Sequence, residues 1–137
     1  MSECVFCDIV AGRIPSAKVH EDEMTLAFMD IAEVNPGHVL VTVKPHVENI
    51  YGLNDALAAA VFRTAARVAR ALKGAYTPEG MTLYQANGVA ASQTVFHFHI
   101  HLVPRHARDG LRLSWPTKSP SREQLEANAA KLRAALE

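Results

Sequence analysis

No apolar stretch in the sequence reaches the ~18 residues that a membrane-spanning helix needs. The N-terminal segment MSECVFCDIVAG lacks the apolar core of a secretory signal. Charge of one sign is also missing: 14 basic and 14 acidic residues balance, with no run of either. That balance gives no footprint for a nucleic-acid backbone or an anionic membrane. A cytoplasmic protein without nucleic-acid or membrane partners is expected. Cysteine is scarce, with two residues, Cys4 and Cys7, in one C-x-x-C pair. A single pair is no disulfide framework. It reads as half a metal site or, with no strand before it, less readily as a redox pair. No glycine-rich phosphate cradle of the Walker type occurs.

The 137 residues suffice for one core, and 49% hydrophobic with 20% charged residues is ordinary for a globular chain. No repeat or low-complexity segment is present. Val5, Phe6, Ile9 and Val10 fit a short helix closed by Gly12. Residues 18–20 and 25–29 read as strands around the turn Glu21-Asp22-Glu23. Asn35-Pro36-Gly37 marks a turn before a buried strand over 38–43 (HVLVTV). Asn54 or Asp55 should cap a helix to about Lys73, with Leu57, Val61, Ala65, Val68 and Leu72 on one stripe and Gly74 as its stop. Strands are expected over 81–87 and 96–103, separated by a small-residue loop. Residues 107–120 read as an extended segment. Ser121 and Gln124 form a capping box for a last helix burying Leu125, Ala129, Leu132 and Leu136. The sum is an α+β fold: a five-stranded, mainly antiparallel sheet with one long helix and short terminal helices. Residues 1–110 form the main domain, and 111–137 an extension whose helix packs on it.

The chemistry concentrates in Ser92-Gln93-Thr94-Val95-Phe96-His97-Phe98-His99-Ile100-His101-Leu102-Val103-Pro104. Alternation along a strand puts His97, His99 and His101 on one face, roughly 6–7 Å apart, and Phe96, Phe98, Ile100 and Leu102 on the other. Three histidines on one face are hard to explain as core, because each needs a polar partner when buried. They suit a metal site, or nucleophilic attack on phosphorus by a neutral imidazole, with the neighbours stabilising charge and supplying a proton.

HFHIHLV resembles the signature of the histidine triad (HIT) superfamily. The resemblance runs from Cys4 to His106, through CVFCDIVAGRIPSAKV, LAFMDIAEVNPGHVLVTVKPH, Asn87-Gly88 and Gln93-Thr94-Val95. It implies hydrolysis or nucleotidyl transfer at the α-phosphate of an AMP-linked substrate, a phosphoramidate or dinucleoside polyphosphate, with a nucleotide-binding scaffold as the alternative. It makes His99 the nucleophile, with His101, His97, His38 and Gln93 as catalytic partners. It maps the purine nucleotide site onto Val5, Phe6, Ile9, Phe28, Asp30, Ile31, Leu40, Asn87, Gln93, Thr94, His99 and His101, with Asp30 on the ribose. Thr94 stands where many phosphoramidase relatives carry serine. By pattern alone, Phe6, Ile9, Phe28 and Leu40 are core. The resemblance further implies a structural zinc on Cys4, Cys7, His46 and His97, no catalytic metal, and a homodimer. His20 and His106 match no functional position.

Overall fold

The computed structural model describes residues 3–136. In chain order the elements are α1 (Val5–Val10), β1 (Lys18–Glu21), β2 (Thr25–Met29), β3 (Val39–Val43), α2 (Asp55–Tyr76), β4 (Gly80–Tyr84), β5 (His99–Arg105) and α3 (Arg122–Ala135), with short 3-10 turns at Ile50–Gly52 and Val89–Ala91. The strands form one five-stranded sheet in the order β1-β2-β3-β5-β4, and every neighbouring pair is antiparallel. Among the described residues, no helix is long and apolar enough to cross a membrane.

Both faces of the sheet are covered near its centre. That is why β3 is buried along its whole length and reads as a continuous apolar run rather than an alternating one. On one face the α2 stripe of Leu57, Val61, Ala65, Val68 and Leu72 packs against Ala27, Val39, Val41, Val43, Phe98, Ile100 and Leu102. On the other, Phe6 and Ile9 of α1 pack against Leu26, Phe28 and Leu40. His99 and His101 alternate with the core residues of β5 and so fall on the α1 face. Asn54 caps α2 through the Leu57 N–H. The Ser121–Gln124 capping box is complete.

Gly37 permits the turn that starts β3. Its φ is +91°, and a Cβ there would lie 3.1 Å from Pro104 and 3.2 Å from Tyr76. Only glycine fits both the angle and the approach.

Five details differ from the expectation. Gly74 does not stop α2, which runs on to Tyr76; the break comes at left-handed Thr77, before Pro78, whose nitrogen has no hydrogen to continue the helix. β4 ends at Tyr84 rather than residue 87, because Gln85 and Asn87 turn to bond each other. β5 starts at His99 and not at residue 96, because the Phe98 N–H is taken by Val47 O outside the ladder. Phe96 is consequently 39% exposed and not core. Finally, α3 buries none of its residues: Leu125, Leu132 and Leu136 are exposed. Their helical spacing makes a stripe, but the stripe stays exposed.

Candidate active site

The α1 face of the sheet carries a cavity of about 350 Å³. Its apolar wall includes Phe6 and Ile9 from α1, Ile14 and Pro15 from the following turn, and Phe28 and Leu40 from β2 and β3. Phe6 meets Phe28 edge-on at 5.3 Å and the His99 ring at 4.9 Å. The polar lining is Asp30, Thr94, His99, His101 and Ser16. Val5 and Ile31 stand at the mouth, Ile31 fully exposed. A mostly apolar hollow with a few convergent polar groups is the ordinary form of a small-molecule site.

Hydrogen bonds set where the imidazole protons lie. His99 Nδ1–H donates to the His97 carbonyl at 2.7 Å, so Nε2 keeps its lone pair. His38 Nδ1 accepts the Val34 N–H, so its Nε2–H donates to His101 Nδ1 at 2.9 Å. His101 then carries its proton on Nε2. Asp30 Oδ2 lies 3.4 Å from His38 Nε2 and 3.9 Å from His101 Nδ1. Burial lowers the pKa of His99 against the opposing pull of the His97 carbonyl and Asp30. Burial, then His99 and His38, push His101 down to about 4. His38 is also lowered by burial, which Asp30 opposes. Neutral imidazoles near pH 7 follow, one with a free lone pair and one with an N–H. That pairing suits attack on an electrophile and hydrogen bonding to its charge.

His97 does not face this cavity. Its Nε2–H donates to Val43 O at 2.7 Å, and its Nδ1 lies 3.3 Å from Cys4 Sγ and 3.5 Å from Cys7 Sγ. His46 Nδ1 lies 3.3 Å from Cys7 Sγ. All four donor atoms fall within 4.8 Å of one another. Zinc–sulfur bonds of about 2.3 Å and zinc–nitrogen bonds of about 2.0 Å set tetrahedral S···N edges near 3.5 Å, which these spacings match. The bond to Val43 O leaves His97 Nδ1 as the lone-pair nitrogen, the arrangement a metal-ligating histidine takes. Burial and the Cys4 sulfur push the Cys7 thiol up to about 11, so that thiol keeps its proton unless a cation displaces it.

Of the residues anticipated for a nucleotide, two stand elsewhere. The Gln93 amide is buried and engaged, donating to Glu48 O and Val95 O and accepting the Gly88 N–H. Asn87 Oδ1 accepts from the Ile50 N–H. Neither lines the cavity. Several residues were missed. Tyr84 stacks flat on His101, centroids 4.0 Å apart and 8° from parallel; β4–β5 register pairs these two residues directly, but no sequence pattern announces that register. Ile14, Pro15 and Ser16 look like a plain helix exit in sequence, yet they close one side of the cavity.

The family model for the HIT domain matches residues 11–108. The chain belongs to the HIT family. Among relatives of this HIT protein, "Protein hit" of Bacillus subtilis is 47% identical over 115 residues, covering 83% of this chain and 79% of that one. The adenosine 5'-monophosphoramidase hnt1 of Schizosaccharomyces pombe is 37% identical, covering 90% and 91%. A crystal structure of a HIT family protein from Bacillus anthracis superposes with a TM-score of 0.95 at 37% identity, over 99% of both chains. A zinc-bound histidine triad family protein from Mycobacterium smegmatis gives 0.76 at 35% identity, over 97% of both.

Proposed function

We propose that this HIT protein is a nucleotide hydrolase that cleaves AMP-linked substrates, phosphoramidates or dinucleoside polyphosphates, at the α-phosphorus. The observation that carries the reading is the His99 tautomer: Nδ1–H is tied to the His97 carbonyl, and the lone-pair Nε2 belongs to a ring that lines a nucleoside-sized cavity. The base packs among Phe6, Ile9, Phe28 and Leu40, and Asp30 accepts from the ribose hydroxyls. His99 Nε2 attacks the α-phosphorus. The bond to the leaving nitrogen or oxygen breaks with its electron pair, and the leaving group takes a proton from solvent water. His101 Nε2–H bonds a phosphoryl oxygen. The bond from Nδ1–H to the His97 carbonyl stabilises the positive charge on the adenylyl-imidazole. Water then attacks phosphorus and gives up a proton to solvent, the Nε2–P bond breaks with its electron pair returning to Nε2, and AMP leaves. Gln93 and Asn87 act by holding the loop that presents Thr94. The adenosine phosphoramidase among the relatives supports the substrate class.

Cys4, Cys7, His46 and His97 would hold a structural zinc, which would supply no step of the reaction and would pin α1 to the sheet. The zinc-bound relative supports this. The same reading carries a cytoplasmic location and a homodimer. The latter is supported by the open edge at β4, beside which Ile50, Phe62 and Leu83 are exposed.

The test compares AMP release from an adenosine phosphoramidate and a diadenosine polyphosphate by wild type and His99→Ala, with and without chelator. Chelator-resistant release lost in the variant is expected, and the faster substrate names the leaving group. No turnover with AMP binding retained would overturn the hydrolase in favour of a nucleotide-binding protein.

A further inference from the structure

Among the described residues, one buried side-chain oxygen or nitrogen makes no hydrogen bond, and it is Ser16 Oγ. Ser16 also lines the cavity. A buried hydroxyl without a partner is destabilising, and native proteins rarely keep one unless something else satisfies it. Its position in the sheet says what that is. Lys18 pairs with Phe28, and the Met29 N–H donates to Ala17 O at 2.9 Å. The same antiparallel register, carried past the end of β1, sets Ser16 across from Asp30. Directly opposed residues share a face, with Cβ atoms about 5 Å apart.

The two groups are complementary toward a sugar. A carboxylate only accepts hydrogen bonds, whereas a ribose hydroxyl both donates and accepts. A hydroxyl that donates to Asp30 still has a lone pair to fill, and Ser16 O–H can donate to it. The base end of the cavity offers no such match, being lined by Phe6, Ile9, Ile14, Phe28 and Leu40. We propose that Ser16 is a sugar-specificity residue, donating to the ribose hydroxyl that Asp30 holds, so that the site discriminates against nucleotides that lack that hydroxyl. The inference rests on the cavity being the nucleoside site.

Calorimetric titration of wild type and Ser16→Ala with AMP, 2′-deoxy-AMP and 3′-deoxy-AMP tests it. Wild type should bind AMP and lose about tenfold on removal of one of the two hydroxyls. In Ser16→Ala, AMP should bind about five- to tenfold more weakly, and that deoxy penalty should shrink to about twofold or less. The unliganded variant should melt no lower than wild type, because Oγ has no partner to lose. A variant that weakens AMP and both deoxy analogues equally, leaves AMP unaffected, or melts lower overturns the assignment while the nucleoside site stands. Wild type that fails to bind AMP overturns the nucleoside site and this inference with it.

Discussion

His38 is buried and does not line the cavity, so its effect on the proposed reaction passes through the lining groups it touches, His101 first and Asp30 second. Its Nε2–H fixes the acceptor nitrogen of His101 through a bond of 2.9 Å. Without it, His101 can place its proton on either nitrogen, and the tautomer with a lone pair on Nε2 repels a phosphoryl oxygen. A neutral hydrogen bond of this kind contributes about 0.5–1.5 kcal/mol, which is about two- to twelvefold in rate. His38→Leu, similar in bulk but without a donor, should slow AMP release by that factor with little change in substrate KM. His38→Gln, which keeps an N–H near the same place, should recover part of the loss. The Leu variant also orphans the Val34 N–H and should cost about 1–3 kcal/mol of stability, so rates belong well below its melting temperature. Single-turnover release of AMP at pH 7 is the assay. A folded Leu variant that works at the wild-type rate, or Gln and Leu variants equally slow, would refute the proton-placement argument.

Acid should destabilise the fold through His101. Its folded pKa of about 4 lies below the ordinary value of 6.5, so the unfolded chain binds more protons between those limits, and stability falls as pH drops through that window. Urea midpoints from pH 7 to 4 should show a shallower fall in His101→Gln; parallel curves would remove His101 as the cause. Elemental analysis should find about one zinc per chain, lost in Cys4→Ser with a lower melting temperature; a metal-free wild type that is fully folded would sink the zinc site. Leu102→Ala, at a fully buried position, should cost about 2–5 kcal/mol, whereas Leu132→Asp on exposed α3 should stay within about 0.5 kcal/mol. Chemical denaturation reads both, and a large loss at Leu132 would mean that its face is covered.

Much of the fold was legible because its signals are local and periodic. The α2 stripe, the Asn54 cap, the Ser121–Gln124 box and the unbroken apolar run of β3 each state their own structure. The grouping of the candidate residues was legible where residue type carries the signal: His99, His101 and Asp30 meet in one cavity, and Cys4 and Cys7 meet His46 and His97. What escaped depends on partners distant in sequence. Alternation placed His97 beside His99, yet Val47 takes the Phe98 N–H and sends the preceding residues out of the ladder. The stacking of Tyr84 on His101 needs a strand register that neither strand encodes alone. Leu125, Leu132 and Leu136 repeat at helical spacing like a core stripe, and spacing cannot say whether anything packs against it.

His97 faces two ways, its ring toward the cysteines and its carbonyl toward His99. Only the ring depends on residue type, since every amino acid has a carbonyl. The three evenly spaced letters of the motif are therefore not three equal parts: the proposed chemistry draws on two imidazoles and one peptide group. A descendant that gave up its cysteines could replace His97 with any residue that fills the same buried space and still satisfies Val43 O, and keep the proposed nucleophile His99 aligned, while no exchange at His99 or His101 would be so forgiving.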